Sequence, residues 1–190
     1  RRKFMLVLAV AICSVAVATS KKKPASAGPL RISDLTDLKE RLYIRWRNYN
    51  TTTRNRCHSA TKLSGSGNRF VYTLLFHPPR YEHMKRYDTH LTTLAIGQQE
   101  ENAAKYKFGP GYPEVVRKLI YSNPKEGCFI LGEDLDDLTQ PKIGCQLVQT
   151  DSTVDFPVPA GCKRAFRENC FGNKTALYRK DCKDIPDIIR

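Results

Sequence analysis

Between Leu42 and Thr150 the chain divides into about eight short strand-like runs, each closed by a turn signal, with no long helical pattern between them. In LYIRWR, Leu42, Ile44 and Trp46 alternate with Tyr43, Arg45 and Arg47. RFVYTLLFH puts Phe70, Tyr72, Leu74 and Phe76 on one face and stops at Pro78-Pro79. CHSATKL, THLTTLAIG, AAKYKF, EVVRKLIYS, CFILGE and CQLVQT supply the remaining runs, and Gly65-Ser66-Gly67-Asn68, Gly109-Pro110-Gly111 and Asn123-Pro124 are among the turns. Short strands at this spacing form an antiparallel meander, either closed into a barrel or folded as a sandwich. There is no internal repeat.

Only the two flanks change period. Ser33 is placed to cap a short helix with Leu35, Leu38 and Leu42 on one face. Near the other end Pro159 precedes GCKRAFRENC, where Cys162, Ala165, Phe166 and Asn169 fall at helical spacing. The economical expectation is all-β: a small barrel with a short N-terminal helix and one C-terminal helix.

The first residues are a separate signal. Arg1, Arg2 and Lys3 precede a short apolar run from Phe4 and small residues around Ala16-Val17-Ala18, and Lys21-Lys22-Lys23 ends it. This is the pattern of a secretory leader, too short for a membrane span. The expected organisation is a leader over residues 1–20, a flexible lead-in over 21–32, KKKPASAGPL at its heart, and a single folded domain over 33–190. Removing the leader takes the formal net charge from +13 to +10 and leaves six of seven cysteines. Such a chain is expected to be secreted, extracellular and monomeric, with no membrane association after cleavage. Asn50-Thr51-Thr52 and Asn173-Lys174-Thr175 are acceptor sequences for N-glycosylation at Asn50 and Asn173.

Six cysteines in an oxidising compartment read as three disulfides. Metal sites want Cys or His pairs two to four residues apart, and redox sites want Cys-x-x-Cys; the nearest pair here, Cys162 and Cys170, is eight apart. If residues 161–170 are helical, these two lie about 12 Å apart along the axis, and a disulfide needs Cα atoms within about 7 Å. They cannot pair with each other, so each ties the helix to something else; twelve pairings remain open.

Other chemistries leave no trace. His58, His77, His83 and His90 lack metal-ligand spacing, and no nucleophile elbow occurs, so no enzyme, metal or cofactor is expected. Arg41, Arg45, Arg47, Arg54 and Arg56 form the densest basic patch, read as a solvated face, and no motif supports nucleic acid. Glu133, Asp134, Asp136 and Asp137 lie in EDLDDLTQPK and read as a solvated hairpin loop lacking a calcium-loop pattern. The apolar alternation marks Ile44, Trp46, Phe70, Tyr72, Leu74, Phe76, Tyr106 and Phe108 as candidate lining of a ligand pocket. Arg45 and Arg47, alternating with them in the first strand, are expected to face outward.

Cys128, Cys145-Gln146-Leu147-Val148, Val158-Pro159-Ala160-Gly161-Cys162, Phe166, Cys170, Tyr178 and Cys182-Lys183 together resemble the salivary lipocalins of ticks, the histamine-binding protein family; Arg47-Asn48-Tyr49 and Cys57 also fit. The resemblance covers about Asp34 to Lys183. It implies an eight-stranded antiparallel up-and-down lipocalin barrel and the pairing Cys57–Cys182, Cys128–Cys162 and Cys145–Cys170. It also implies a scavenger of a small host mediator at the blood-feeding site: a biogenic amine such as histamine or serotonin, or alternatively a leukotriene or fatty-acid-like lipid, or a complement protein. Amine-binding members carry an acid after the late-strand cysteine and Glu-Leu-Trp or Glu-Leu-Tyr later. Here Phe129 and Gln146-Leu147-Val148 stand at those places. A buried ammonium wants carboxylates and aromatic faces, so this exchange weakens amine binding in that geometry and raises the lipid alternative.

Overall fold

The computed structural model describes residues 28–187. The expected leader and residues 21–27 of the expected lead-in lie outside the described residues. Eight strands form one antiparallel sheet: β1 (Leu42–Arg47), β2 (Arg56–Ser66), β3 (Arg69–His77), β4 (Lys85–Leu94), β5 (Ala103–Lys107), β6 (Glu114–Asn123), β7 (Cys128–Asp134) and β8 (Ile143–Thr150). Each pairs with its sequence neighbour, and β1 pairs with both β8 and β2, which closes the barrel. Closure removes the free edges that an open eight-stranded sheet would expose. A two-residue strand, β9 (Thr175–Ala176), adds to β1.

The β2–β3 hairpin is tighter than the sequence suggests. Ser66 pairs with Arg69, so only Gly67-Asn68 form the turn. Gly65, expected within the turn, is a strand residue at φ +114°, where a Cβ would lie 2.5 Å from the Phe70 Cα. Only glycine tolerates that approach.

β1 carries the irregularity that matters most. Its register against β8 shifts between Ile44, opposite Val148, and Trp46, opposite Leu147. One extra residue in a strand reverses which side chains face in. Leu42 and Ile44 therefore face the interior, but beyond the bulge Arg47 does, and Trp46 turns outward.

The N-terminal helix is shorter than its pattern implies, and the C-terminal one has the expected length. α1 (Ser33–Thr36) begins at Ser33, with Ile32 in the capping position and no side-chain cap bond, and Leu42 belongs to β1. Ile32 and Leu35 close one end of the barrel by packing with Leu42, Tyr72, Leu91 and Phe129. Part of the expected lead-in is thus fixed: Ile32 is 2% exposed, its N–H donates to Glu101 O at 2.9 Å, and Arg31 pairs with Glu100. α2 (Ala160–Asn169) follows Pro159, which occupies its N-cap. Its buried face, Cys162 and Phe166, covers the outer wall of β7 and β8 at Ile130 and Leu147, where Trp46 meets Phe166 edge-on at 5.8 Å.

Three disulfides tie these layers. Cys128–Cys162 and Cys145–Cys170 join α2 to β7 and β8, and Cys57–Cys182 joins the C-terminal segment to β2. This is the pairing the family resemblance implies. Around Cys57–Cys182 a second outer cluster gathers Tyr43, Leu75, Met84, Val154 and Tyr178.

Candidate functional site

Strand alternation leaves an interior too large for its side chains, and a cavity of about 380 Å³ remains. Its blind end is walled by Ile32 and Leu35. Its mouth lies between the β1–β2 loop, which contributes Thr51, Thr52 and Thr53, and the β5–β6 loop, which contributes Pro110 and Tyr112. The volume suits one small organic molecule.

Of the residues marked from the sequence, Ile44, Tyr72, Leu74, Phe76, Tyr106 and Phe108 line this cavity. Phe70 is buried among the interior core residues but does not reach the cavity surface. Trp46 is outside the barrel, against Phe166 and under the Lys174 ammonium at 3.9 Å from its ring centre. The bulge in β1 is the reason, since strict alternation would have put it inside.

The polar part of the wall was not marked from the sequence. Arg47, expected to face outward, lines the cavity and is 8% exposed. Its guanidinium lies 5.6 Å from the centre of the Tyr49 ring and has no carboxylate or hydrogen-bond partner among the described residues. Burial holds its pKa below the ordinary arginine value, with Tyr49 opposing. Arg45 does turn outward: its guanidinium binds the carbonyls of Val154 and Phe156.

Arg117, on β6, is 1% exposed. Its Nη2 donates to Glu133 and, at 3.2 Å, to the Tyr49 hydroxyl, while its guanidinium sits 4.6 Å from the centre of the Phe108 ring. Burial pulls its pKa down, but Tyr49, Tyr106 and Glu133 outweigh that and hold it above the ordinary value. Glu133 is therefore not part of a solvated loop. It is a β7 residue whose carboxylate is drawn into the barrel wall by a buried cation. Asp134 is likewise the last residue of β7, while Asp136 and Asp137 do lie in the following loop. Gln146 Nε2 donates to the Tyr49 hydroxyl at 2.6 Å, completing the cluster.

His58 also lines the cavity, stacked on Phe76 at 6.0 Å. Desolvation, with Arg47 and Arg117 adding to it, lowers its pKa to about 4, so it is neutral at physiological pH. Burial pushes the Tyr106 hydroxyl up to about 12. The charged residues lining the cavity, among those described, are then Arg47, Arg117 and Glu133, a net charge of +1. Asn48, the residue between Arg47 and Tyr49, fixes this corner. Its Nδ2 donates to the carbonyls of Ile143 at 3.0 Å and Phe171 at 2.7 Å, and its Oδ1 accepts from Cys145 N–H at 2.7 Å.

Phe129 and Gln146, which stand where amine-binding members have acids, both sit on inward-facing registers of β7 and β8, on the same faces as Leu131 and Val148. No cluster of three metal-ligating side chains and no helix long and apolar enough to cross a membrane occurs among the described residues.

A family model for tick histamine binding protein matches residues 32–184. No curated protein matches the chain. Among solved structures, the chain is similar to Japanin from Rhipicephalus appendiculatus bound to cholesterol, at 14% identity and TM-score 0.52, over 74% of this chain and 92% of that one. It is also similar to lobster apocrustacyanin A1, at 12% identity and TM-score 0.51, over 74% and 77%. These likenesses establish the barrel fold.

Proposed function

The chain belongs to the tick histamine-binding protein family, and we propose that it is a secreted, non-enzymatic carrier that sequesters a small host mediator with an apolar body and an acidic end. The ligand class is a fatty-acid-like lipid mediator, and its removal counters host defence during blood feeding. The observation that carries this reading is Arg47, a buried cation facing an apolar cavity with no counter-ion among the described residues. A charge in that position is stabilised by an anion that arrives with its own apolar body, because the two are desolvated together. Apolar walls at Leu74, Leu91, Tyr106 and Val148 supply the remaining contact.

A biogenic amine is the second reading, and Glu133 with the rings of Tyr49, Tyr106 and Phe108 favours it. That carboxylate is already engaged by Arg117, so an ammonium would have to compete with a buried guanidinium. Calorimetric titration of the disulfide-intact protein with oleate, histamine and serotonin separates the two. Saturable oleate binding at micromolar or lower Kd, with no heat from either amine, is the expected result. Tight amine binding without oleate binding would reverse the assignment.

A further inference from the structure

Phe171 is 72% exposed at the end of α2, in a turn that is otherwise firmly held. Its carbonyl accepts from Asn48 Nδ2 at 2.7 Å, and Gly172, at φ +103°, sits against Pro141. Two residues after Phe171 comes Asn173, the exposed acceptor of Asn173-Lys174-Thr175. Gly172 bends the chain between Phe171 and Asn173. The intervening Lys174 is drawn off onto Trp46, and Thr175 is held in β9 opposite Arg47.

We infer that Asn173 carries an N-linked glycan whose first N-acetylglucosamine packs its apolar face on the bare Phe171 ring, so that the sugar completes the surface of this turn. In the modification Asn173 Nδ2 forms a bond to the anomeric carbon of the sugar. The bond from that carbon to the diphosphate of a lipid-linked oligosaccharide donor breaks, the lipid diphosphate leaves, and the amide gives up one proton. A sugar's axial C–H face and an aromatic face are complementary apolar surfaces, and covering an exposed phenyl ring removes its area from water. The other acceptor, Asn50, lacks such a platform. The residue two before it is Asn48, which is 3% exposed and fully bonded. The inference needs passage through a glycosylating secretory compartment and holds whichever ligand the cavity takes.

The test uses protein secreted from cultured eukaryotic cells. Peptide mass mapping reads occupancy at Asn173, and thermal unfolding is compared for the wild type, Asn173→Gln, Phe171→Ala and the double variant. The glycosylated wild type is expected to melt about 2–4 °C above Asn173→Gln. Trimming the glycan to a single N-acetylglucosamine should keep that margin. Phe171→Ala should lower the glycosylated protein's Tm but leave that of Asn173→Gln unchanged, the non-additivity of a direct contact. An unoccupied Asn173, or an equal effect of Phe171→Ala with and without the glycan, would overturn the inference. Asn50→Gln should leave the margin intact.

Discussion

Arg47 carries two opposing effects in one side chain. Its burial without a counter-ion among the described residues weakens the empty barrel, and the same charge draws in an acidic ligand. Arg47→Met, which keeps the volume, is expected to raise the stability of the ligand-free protein by on the order of 1 kcal/mol and to weaken oleate binding about 10- to 100-fold. Denaturant midpoints and titration read the two effects separately. Arg117 behaves in the opposite sense, because its partner is present. Glu133→Ala leaves a buried guanidinium uncompensated and should cost about 3–5 kcal/mol of stability, visible as a lower urea midpoint. His58 contributes a pH dependence of known sign. Its pKa is lowered from 6.5 to about 4 in the folded chain, so below 6.5 the unfolded chain binds the extra proton. Its contribution is fully present above pH 6.5, is lost as pH falls toward about 4, and changes no further below that. His58→Phe should flatten this part of the stability–pH curve.

Among the elements, α2 and the C-terminal segment depend on their disulfides more than on sequence preference. α2 has only Cys162 and Phe166 buried, too little apolar area to hold a ten-residue helix alone. The bridges closing loops with sequence separations of 34 and 25 each constrain the unfolded chain less than Cys57–Cys182, with 125. The chain-entropy relation gives about 3.5 kcal/mol for the shortest and about 5 for the longest. Replacing Cys145 and Cys170 together by alanine should therefore destabilise less than replacing Cys57 and Cys182, as compared by equilibrium denaturation. The strands themselves were legible from the sequence, because β-alternation with one buried face leaves a two-residue period in the chain. The β1 bulge was not, since LYIRWR alternates without a break and nothing local announces an extra residue. Its consequence, Trp46 out and Arg47 in, is the main difference between the expected and the observed pocket wall.

For the whole molecule, a closed barrel around an apolar cavity makes stability and ligand capture a single linked equilibrium. A ligand that binds only the folded chain at 100 times its Kd adds about 2.7 kcal/mol, so oleate should raise Tm by several degrees and histamine should not. Scanning calorimetry with each ligand in excess checks this.

The sequence by itself determined the all-β class, the terminal helix, the disulfide chemistry and the family, because these rest on periodicity, on residue counts and on cysteine spacing within the chain. It also marked part of the apolar wall, since Tyr72, Leu74, Phe76 and Tyr106 lie on regular strands. Only the tertiary structure decided the sign of the site. Arg47, Tyr49, Arg117, Glu133 and Gln146 come from four strands and a loop distant in sequence, and none has a spacing that signals the others. Whether Glu133 is a free anion in a loop or the partner of a buried arginine depends on closing the barrel. That long-range contact has no periodic trace in the chain.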